Sequence, residues 1–407
     1  MQPISACFLN IVSRGLRRCS LFNKTINRFL HWLDDKAEWS PEALGKGRWI
    51  PGGIRDEPAV EPRPDLDFDR VSESCSAEWQ EGPEAGASGV CRLKGARVRM
   101  LLPYPDREGH VDDRRRLARV FVNRFRFLAM SPRIGVFLNL WRRLRRSPSR
   151  LLERDVRIRG RVALLGNAVR DYANYYHFWL DSVGDIVFLM NVLPEDRQPE
   201  RFILSYIGAP WQDEVLRICG VDRERIIPFT HAERLRVDEL LVPVRGKGSF
   251  HFPAGLIDEL RALASPMRVD ATASRKIYLS RVDSSRRPVE NEDEVRRLLT
   301  EQGFEILVAS ELSVEEQRRA FAEASVVVSP HGAGLTNLIW CEEGAQVIEL
   351  VPERHLVPCF RDIARERRLR YQCVVCEQAG GENGMWASMH VPVEALRRRI
   401  EHLPAGG

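Results

Sequence analysis

From about residue 156 to 401, short apolar runs alternate with helix-like segments, and this alternation constrains the fold most. VRIRGRVALLG, RFILSYIG, RIIPF and ELLVPV are rich in branched and aromatic residues and read as strands. YYHFWLDSVGDIVFLMNVL, WQDEVLRIC and PAGLIDELRALA read as helices, the first largely buried. After ASPMRVDATAS a second series begins. Its strands are RKIYLSR, FEILVAS, SVVVSP, AQVIELVP and RYQCVVC. Its helices are EDEVRRLLTEQG, SVEEQRRAFAEA, HLVPCFRDIARERRL and VEALRRRIEHL. A parallel strand pair needs a crossover between its members, so alternation implies parallel sheets. The break near 265–275 predicts two doubly wound, Rossmann-type units, 151–268 and 269–407. Residues 1–150 are an extension, irregular over the Pro-, Gly- and acid-rich 41–90 and helical with a basic end over 115–146.

The chain has 407 residues, of which 44% are hydrophobic and 29% charged, a composition that supports a soluble, sizeable core. A net charge of +5 is too weak to argue for nucleic acid. Nine cysteines without regular spacing fit a reducing cytoplasm better than a disulfide framework. Cys373 and Cys376 read as core strand, since no second ligand pair completes a zinc site. No apolar run reaches the roughly 18 residues of a spanning helix. The N-terminal charges follow the apolar part, the reverse of a secretory signal. Residues 7–33 and WRRLRRSPSR (141–150) are basic and read as solvated faces, with peripheral contact to anionic lipid as the other reading. Asp65 and Asp67, and Asp112 and Asp113, follow no buried strand, so no divalent metal is expected.

SPHGAGLTN (329–337) lies where a buried strand turns toward a helix. A helix start exposes unpaired N–H groups and partial positive charge, and glycines let a phosphate approach the backbone. His331, Gly332, Ala333, Gly334, Thr336 and Asn337 therefore predict a diphosphate or sugar-nucleotide cradle, against a plain capped turn. A dinucleotide loop is the first rival, with Glu349 as its ribose-binding acid 17 residues after Gly332, but the third glycine is missing and little chain follows. An esterase oxyanion loop is the second, and it lacks any later G-x-S-x-G elbow. Arg281, at the carboxyl end of IYLSR, and Arg286 and Arg287, before the next helix, supply guanidinium forks suited to phosphate. Asn291 is the expected cap of that helix.

In NYYHFWLDS, Asn174, His177 and Asp181 are spaced i, i+3, i+7, one polar stripe on an apolar helix. A carboxylate four residues after a histidine can orient the imidazole as a general base. A satisfied core histidine is the bland alternative.

NYYHFWLD, IYLSR, SRRPVENEDE, SPHGAGLTN and VIELVPE, in this order, resemble the family 61 glycosyltransferases across about 155–377. Bacterial members are often associated with capsular polysaccharide synthesis. The resemblance implies a GT-B-like α/β fold, two Rossmann-type domains facing a cleft. It implies inverting transfer from a nucleotide sugar, a UDP-sugar foremost, to a glycan or lipid-linked acceptor, with no cofactor and no metal. Arg281, His331, Gly332, Gly334 and Asn337 would line the donor diphosphate and Glu349 would sit near the ribose. Asn174, His177 and Asp181 would face the cleft from the acceptor side, with His177 or Asp181 as the base. A non-catalytic sugar-nucleotide-binding or scaffold protein, and an NAD-dependent oxidoreductase, are the alternatives.

Overall fold

A computed structural model describes residues 48–51, 88–94, 97–101, 117–123, 126–127, 156–165, 174–204, 206–228, 234–245, 252–270, 274–379 and 386–403. The basic stretches 7–33 and 141–150, and Asp65, Asp67, Asp112 and Asp113, lie outside the described residues.

The protein is a mixed α/β molecule built on two sheets. The first comprises β1 (Arg48–Pro51), β2 (Ser88–Lys94), β3 (Arg97–Leu101), β4 (Leu117–Asn123), β5 (Arg126–Phe127), β6 (Val156–Leu164), β7 (Arg201–Leu204), β8 (Ile226–Pro228) and β9 (Arg234–Arg245). Their order is β5-β4-β3-β9-β6-β7-β8, with β2 also on β9 and β1 on β2. β6 to β9 are mutually parallel, as the alternation predicts. β2 and β3 join antiparallel at the two ends of β9, which its 12-residue length permits. The described part of the N-terminal extension is therefore sheet, and it crosses the boundary expected at 150. Of the helix expected over 115–146, the described residues 117–123 and 126–127 are instead β4 and β5: LARVFVN carries the branched and aromatic residues that favour a strand.

Between β6 and β7 lie α1 (Tyr175–His177), a π-helical turn (Phe178–Val183) and α2 (Gly184–Val192). α3 (Pro210–Ile218) follows β7 and α4 (Leu256–Leu263) follows β9. The second sheet comprises β10 (Arg275–Ser280), β11 (Glu305–Val308), β12 (Ala324–Pro330), β13 (Gln346–Pro352), β14 (Arg370–Ala379) and β15 (Ser388–His390). Its order is β11-β10-β12-β13-β14-β15, all parallel except β15. Its helices are α5 (Glu292–Glu301), α6 (Val314–Ala322), α7 (Cys359–Glu366) and α8 (Val393–Glu401). Ser313 and Glu316 form a capping box at the start of α6.

The chain winds outward in both directions from β10 and β12. Their carboxyl ends form a switch point, where open α/β sheets leave a crevice for ligands. One hydrophobic cluster runs through both series, from Phe178 and Leu216 to Leu338 and Phe360. Trp179 meets Trp340 edge-to-face at 5.4 Å, Tyr175 Oη donates to Asn337 Oδ1 at 3.0 Å, and Arg318 donates to the Ser265 carbonyl at 3.0 Å. Among the described residues no helix is long and apolar enough to cross a membrane.

Candidate active site

β12 ends at Pro330, and the chain then passes into a 3-10 helix, Ala333–Trp340, in place of the expected α-helix. Arg281 follows the last residue of β10, so strand geometry places it beside Gly332 across the switch point. A Cβ on Gly332 would lie 1.5 Å from Arg281 Nη1, so only glycine admits the guanidinium there. Arg281 Nη2 donates to Ser284 Oγ at 2.8 Å and to the Arg286 carbonyl at 3.0 Å. Its buried Nε has no hydrogen-bond partner among the described residues. Burial holds the Arg281 charge below its ordinary affinity for a proton.

Arg287 is buried, has φ +50°, and donates to the His331 carbonyl at 3.4 Å. A non-glycine residue in the left-handed region is strained, and such strain clusters at functional sites. Burial, then repulsion from Arg281 and Arg286, pushes its pKa down to about 9. Arg286 stacks its guanidinium 4.7 Å from the centroid of Trp386, an exposed indole. Hydrogen bonds from Glu290 N to the Met389 carbonyl (2.9 Å) and from Met389 N to the Pro288 carbonyl (2.9 Å) clip the arginine loop to β15. Arg281 and Arg287, whose charges are opposed by burial and by neighbouring guanidiniums, are ready for an anion.

The rest of the 329–337 motif serves the loop itself. Thr336 Oγ1 donates to the Ala333 carbonyl at 2.7 Å. Asn337 is fully buried, donating to Gln317 Oε1 and the Gly334 carbonyl while accepting from Tyr175. Gly334 packs where a Cβ would lie 2.5 Å from Leu279. Ala333 is half-buried beside it. Glu349, expected at a ribose, is instead fully buried. It accepts from Tyr371 Oη at 2.6 Å and shares a 2.5 Å bond with His331 Nδ1. Burial pushes the Glu349 carboxyl up to about 8, and burial with Arg287 and Arg281 holds His331 well below its usual range. The pair therefore holds one proton at neutral pH and supports the loop from beneath.

The polar stripe on α1 is reorganised. Asn174 caps the helix, accepting from His177 N at 3.2 Å, so its side chain is spent on the backbone. His177 Nδ1 meets Asp181 Oδ2 at 2.7 Å. The π-helical turn carries Asp181, and such turns are frequent at functional sites. Asp181 Oδ1 accepts from Arg245 Nη2 at 3.0 Å, and Arg245 Nε pairs with Asp185 at 2.9 Å. Edge-on ring contacts link His177 to Tyr176 at 5.4 Å and Tyr176 to Phe360 at 5.7 Å. Phe360 reaches His331 at 5.0 Å, so the two motifs border one region.

Arg245, Asp185, Tyr371 and Trp386 were not singled out in the sequence. DSVGD offered the one available signal, an aspartate one turn beyond Asp181. Tyr278 and Ser280, near the end of β10, both donate to Glu292. Asn291 starts α5 but spends its side chain on Val391, at 2.9 Å to both N and O, instead of capping. Cys373 and Cys376 are buried free thiols.

The α/β fold thus brings arginines and a glycine turn to one switch point, bordered by a His–Asp pair. The family description that matches this chain is Glycosyltransferase 61, over residues 175–348. The chain is also similar to beta-1,2-xylosyltransferase RCN11 of Oryza sativa subsp. japonica, with 36% identity over 63 residues. That match spans 16% of this chain and 12% of the rice protein's length. A solved structure, the dodecameric iron-containing heptosyltransferase TibC in complex with ADP-D-beta-D-heptose, aligns with 69% of this chain and 81% of that one. Its TM-score is 0.23 at 11% identity.

Proposed function

We propose that this protein is an inverting glycosyltransferase that moves a sugar from a nucleotide donor to an acceptor hydroxyl. The observation that carries the reading is the Arg281 guanidinium packed on Gly332 at the switch point, with a buried N–H unmatched and Arg287 beside it. A leaving diphosphate is the kind of anion such a pocket suits, and fixed cations there stabilise charge as it develops. His177 and Asp181 form the base unit that takes the acceptor proton. The donor-binding group is Arg281, Arg286, Arg287 and the backbone of Gly332 and Ala333. His331, Gly334, Thr336, Asn337 and Glu349 shape the loop from behind. The donor is a UDP-sugar and the acceptor a glycan or lipid-linked hydroxyl in surface polysaccharide synthesis, with the two sheets as the halves of a GT-B-like enzyme and no metal required. Among the described residues no group of three His, Cys, Asp or Glu is placed to hold a metal ion.

The dinucleotide reading requires an acidic residue that grips a ribose, and Glu349 is fully buried and bonded on both oxygens. The deciding experiment titrates full-length protein with UDP, UDP-sugars, GDP-sugars and NADH by thermal shift, then assays nucleoside diphosphate release. UDP-sugar binding with release, both lost in Arg281→Ala, is the expected result. Binding without release with any acceptor offered would favour the non-catalytic reading, and stabilisation by NADH alone would overturn the proposal.

A further inference from the structure

Asp181 is held on both sides. Its Oδ2 faces His177 Nδ1 at 2.7 Å, and its Oδ1 accepts from Arg245 Nη2 at 3.0 Å. Arg245 is the last residue of β9, and its Nε pairs with Asp185 Oδ1 at 2.9 Å. The guanidinium thus bridges two buried carboxylates one helical turn apart. Gly184 makes the space, since a Cβ there would come within 3.2 Å of Arg245 Nη1. Burial opposes the Arg245 charge, but the two carboxylates outweigh it and hold it above its ordinary value. Such a network is costly to bury and is stable only when every charge is matched.

This arrangement discriminates between the two candidate bases. A carboxylate held between a guanidinium and an imidazole nitrogen is fixed in one orientation. Both Asp181 oxygens are already committed to donors. The Nδ1–H of a neutral His177 points at that carboxylate, which puts the ring's lone pair on Nε2.

We propose that Arg245 is a positioning residue: by holding Asp181 as an oriented carboxylate, it commits His177 to act as the base through Nε2. The inference rests on the glycosyltransferase reading. In the step, Nε2 takes the proton of the acceptor hydroxyl as the acceptor oxygen bonds to the anomeric carbon. The bond from that carbon to the β-phosphate oxygen breaks, and its electron pair leaves on the nucleoside diphosphate. Asp181 faces the imidazolium that forms and stabilises it, the role a carboxylate plays behind a histidine in hydrolytic triads. Arg245 touches neither reactant.

The test uses full-length protein with 15N-labelled histidine, with the His177 signals assigned by loss in His177→Gln. Two-bond proton–nitrogen correlation spectra report which ring nitrogen carries the proton. The expected result is the Nδ1–H tautomer in the wild type. Arg245→Met combined with Asp185→Asn removes one cation and one anion, so net buried charge is conserved. That double variant is expected to show mixed tautomers, unchanged UDP binding, and a kcat lowered on the order of 10²-fold, the scale of an ångström-sized misplacement. Arg245→Lys keeps the charge but not the fork, and is expected to retain the Nδ1–H tautomer with a smaller loss of kcat. It stands in if the double variant does not fold. An Nε2–H tautomer in the wild type, or wild-type kcat in the double variant, overturns the proposal. Absence of UDP binding and of any turnover in the wild type would sink the glycosyltransferase reading, while the tautomer would still decide the role of Arg245.

Discussion

Gly332 and Arg281 divide one small volume between them, so a single methyl group tests the site. Gly332→Ala places a carbon where Arg281 Nη1 now lies and must displace the guanidinium. Because Gly332 has φ −179°, alanine is tolerated by the backbone and stability should change little. The expected loss is one charge-assisted contact to the donor, about 1.5–3 kcal/mol, read as a raised UDP Kd by calorimetry. The His331–Glu349 pair makes a second prediction, about pH. With Glu349 raised to about 8 and His331 held well below 6.5, the folded pair carries one proton from pH 4.5 to 6.5. The unfolded chain also carries one proton there, on histidine, so the pair contributes no slope in that window. From pH 6.5 to about 8 only the folded state keeps a proton, so stability falls as pH rises. The alkaline fall amounts to at most about 2 kcal/mol and should vanish in Glu349→Gln, as checked by urea melts across the range.

At the scale of elements, helix ends join the two series. Glu214, on α3, accepts from Val314 N at 2.8 Å and Glu315 N at 3.0 Å, so a carboxylate of the first series caps α6 of the second. Anions at a helix start satisfy orphan N–H groups and oppose the macrodipole. Glu214→Ala should cost about 0.5–2 kcal/mol, seen as a lower urea midpoint at unchanged m. Ser313 caps α6 locally, so the loss should grow in Glu214→Ala with Ser313→Ala beyond the sum of the single changes. The capping box was legible as SVEE, because its partners are three residues apart. Glu214 was not, because nothing local marks a carboxylate that caps a helix 100 residues away. The π-helical turn was equally hidden: NYYHFWLDS reads as one apolar helix, and the buried Asp181–Arg245 contact is made from the turn that departs from it.

The whole molecule is joined by the cluster that carries Trp179 and Trp340. Trp340 also lies 4.4 Å beneath the Arg318 guanidinium. Trp340→Ala should therefore destabilise both series together, by about 3–5 kcal/mol. Near- and far-ultraviolet circular dichroism should report one coincident transition in the wild type; separate transitions would mean that the series unfold independently. By itself the sequence determined the alternation of strands and helices and the break between two series. Periods of 2 and 3.6 residues are local, so they survive in a one-dimensional string. It also singled out Arg281, His177 and Asp181 as candidates, whose neighbours in the chain mark them. Only the tertiary structure decided that the N-terminal strands complete the first sheet, that Glu349 serves His331, and that Arg245 grips Asp181. Those pairings join residues 18 and 64 positions apart, and Tyr175 meets Asn337 across 162. Burial sets them, because a charge or hydroxyl taken from water must find its partner wherever packing brings one.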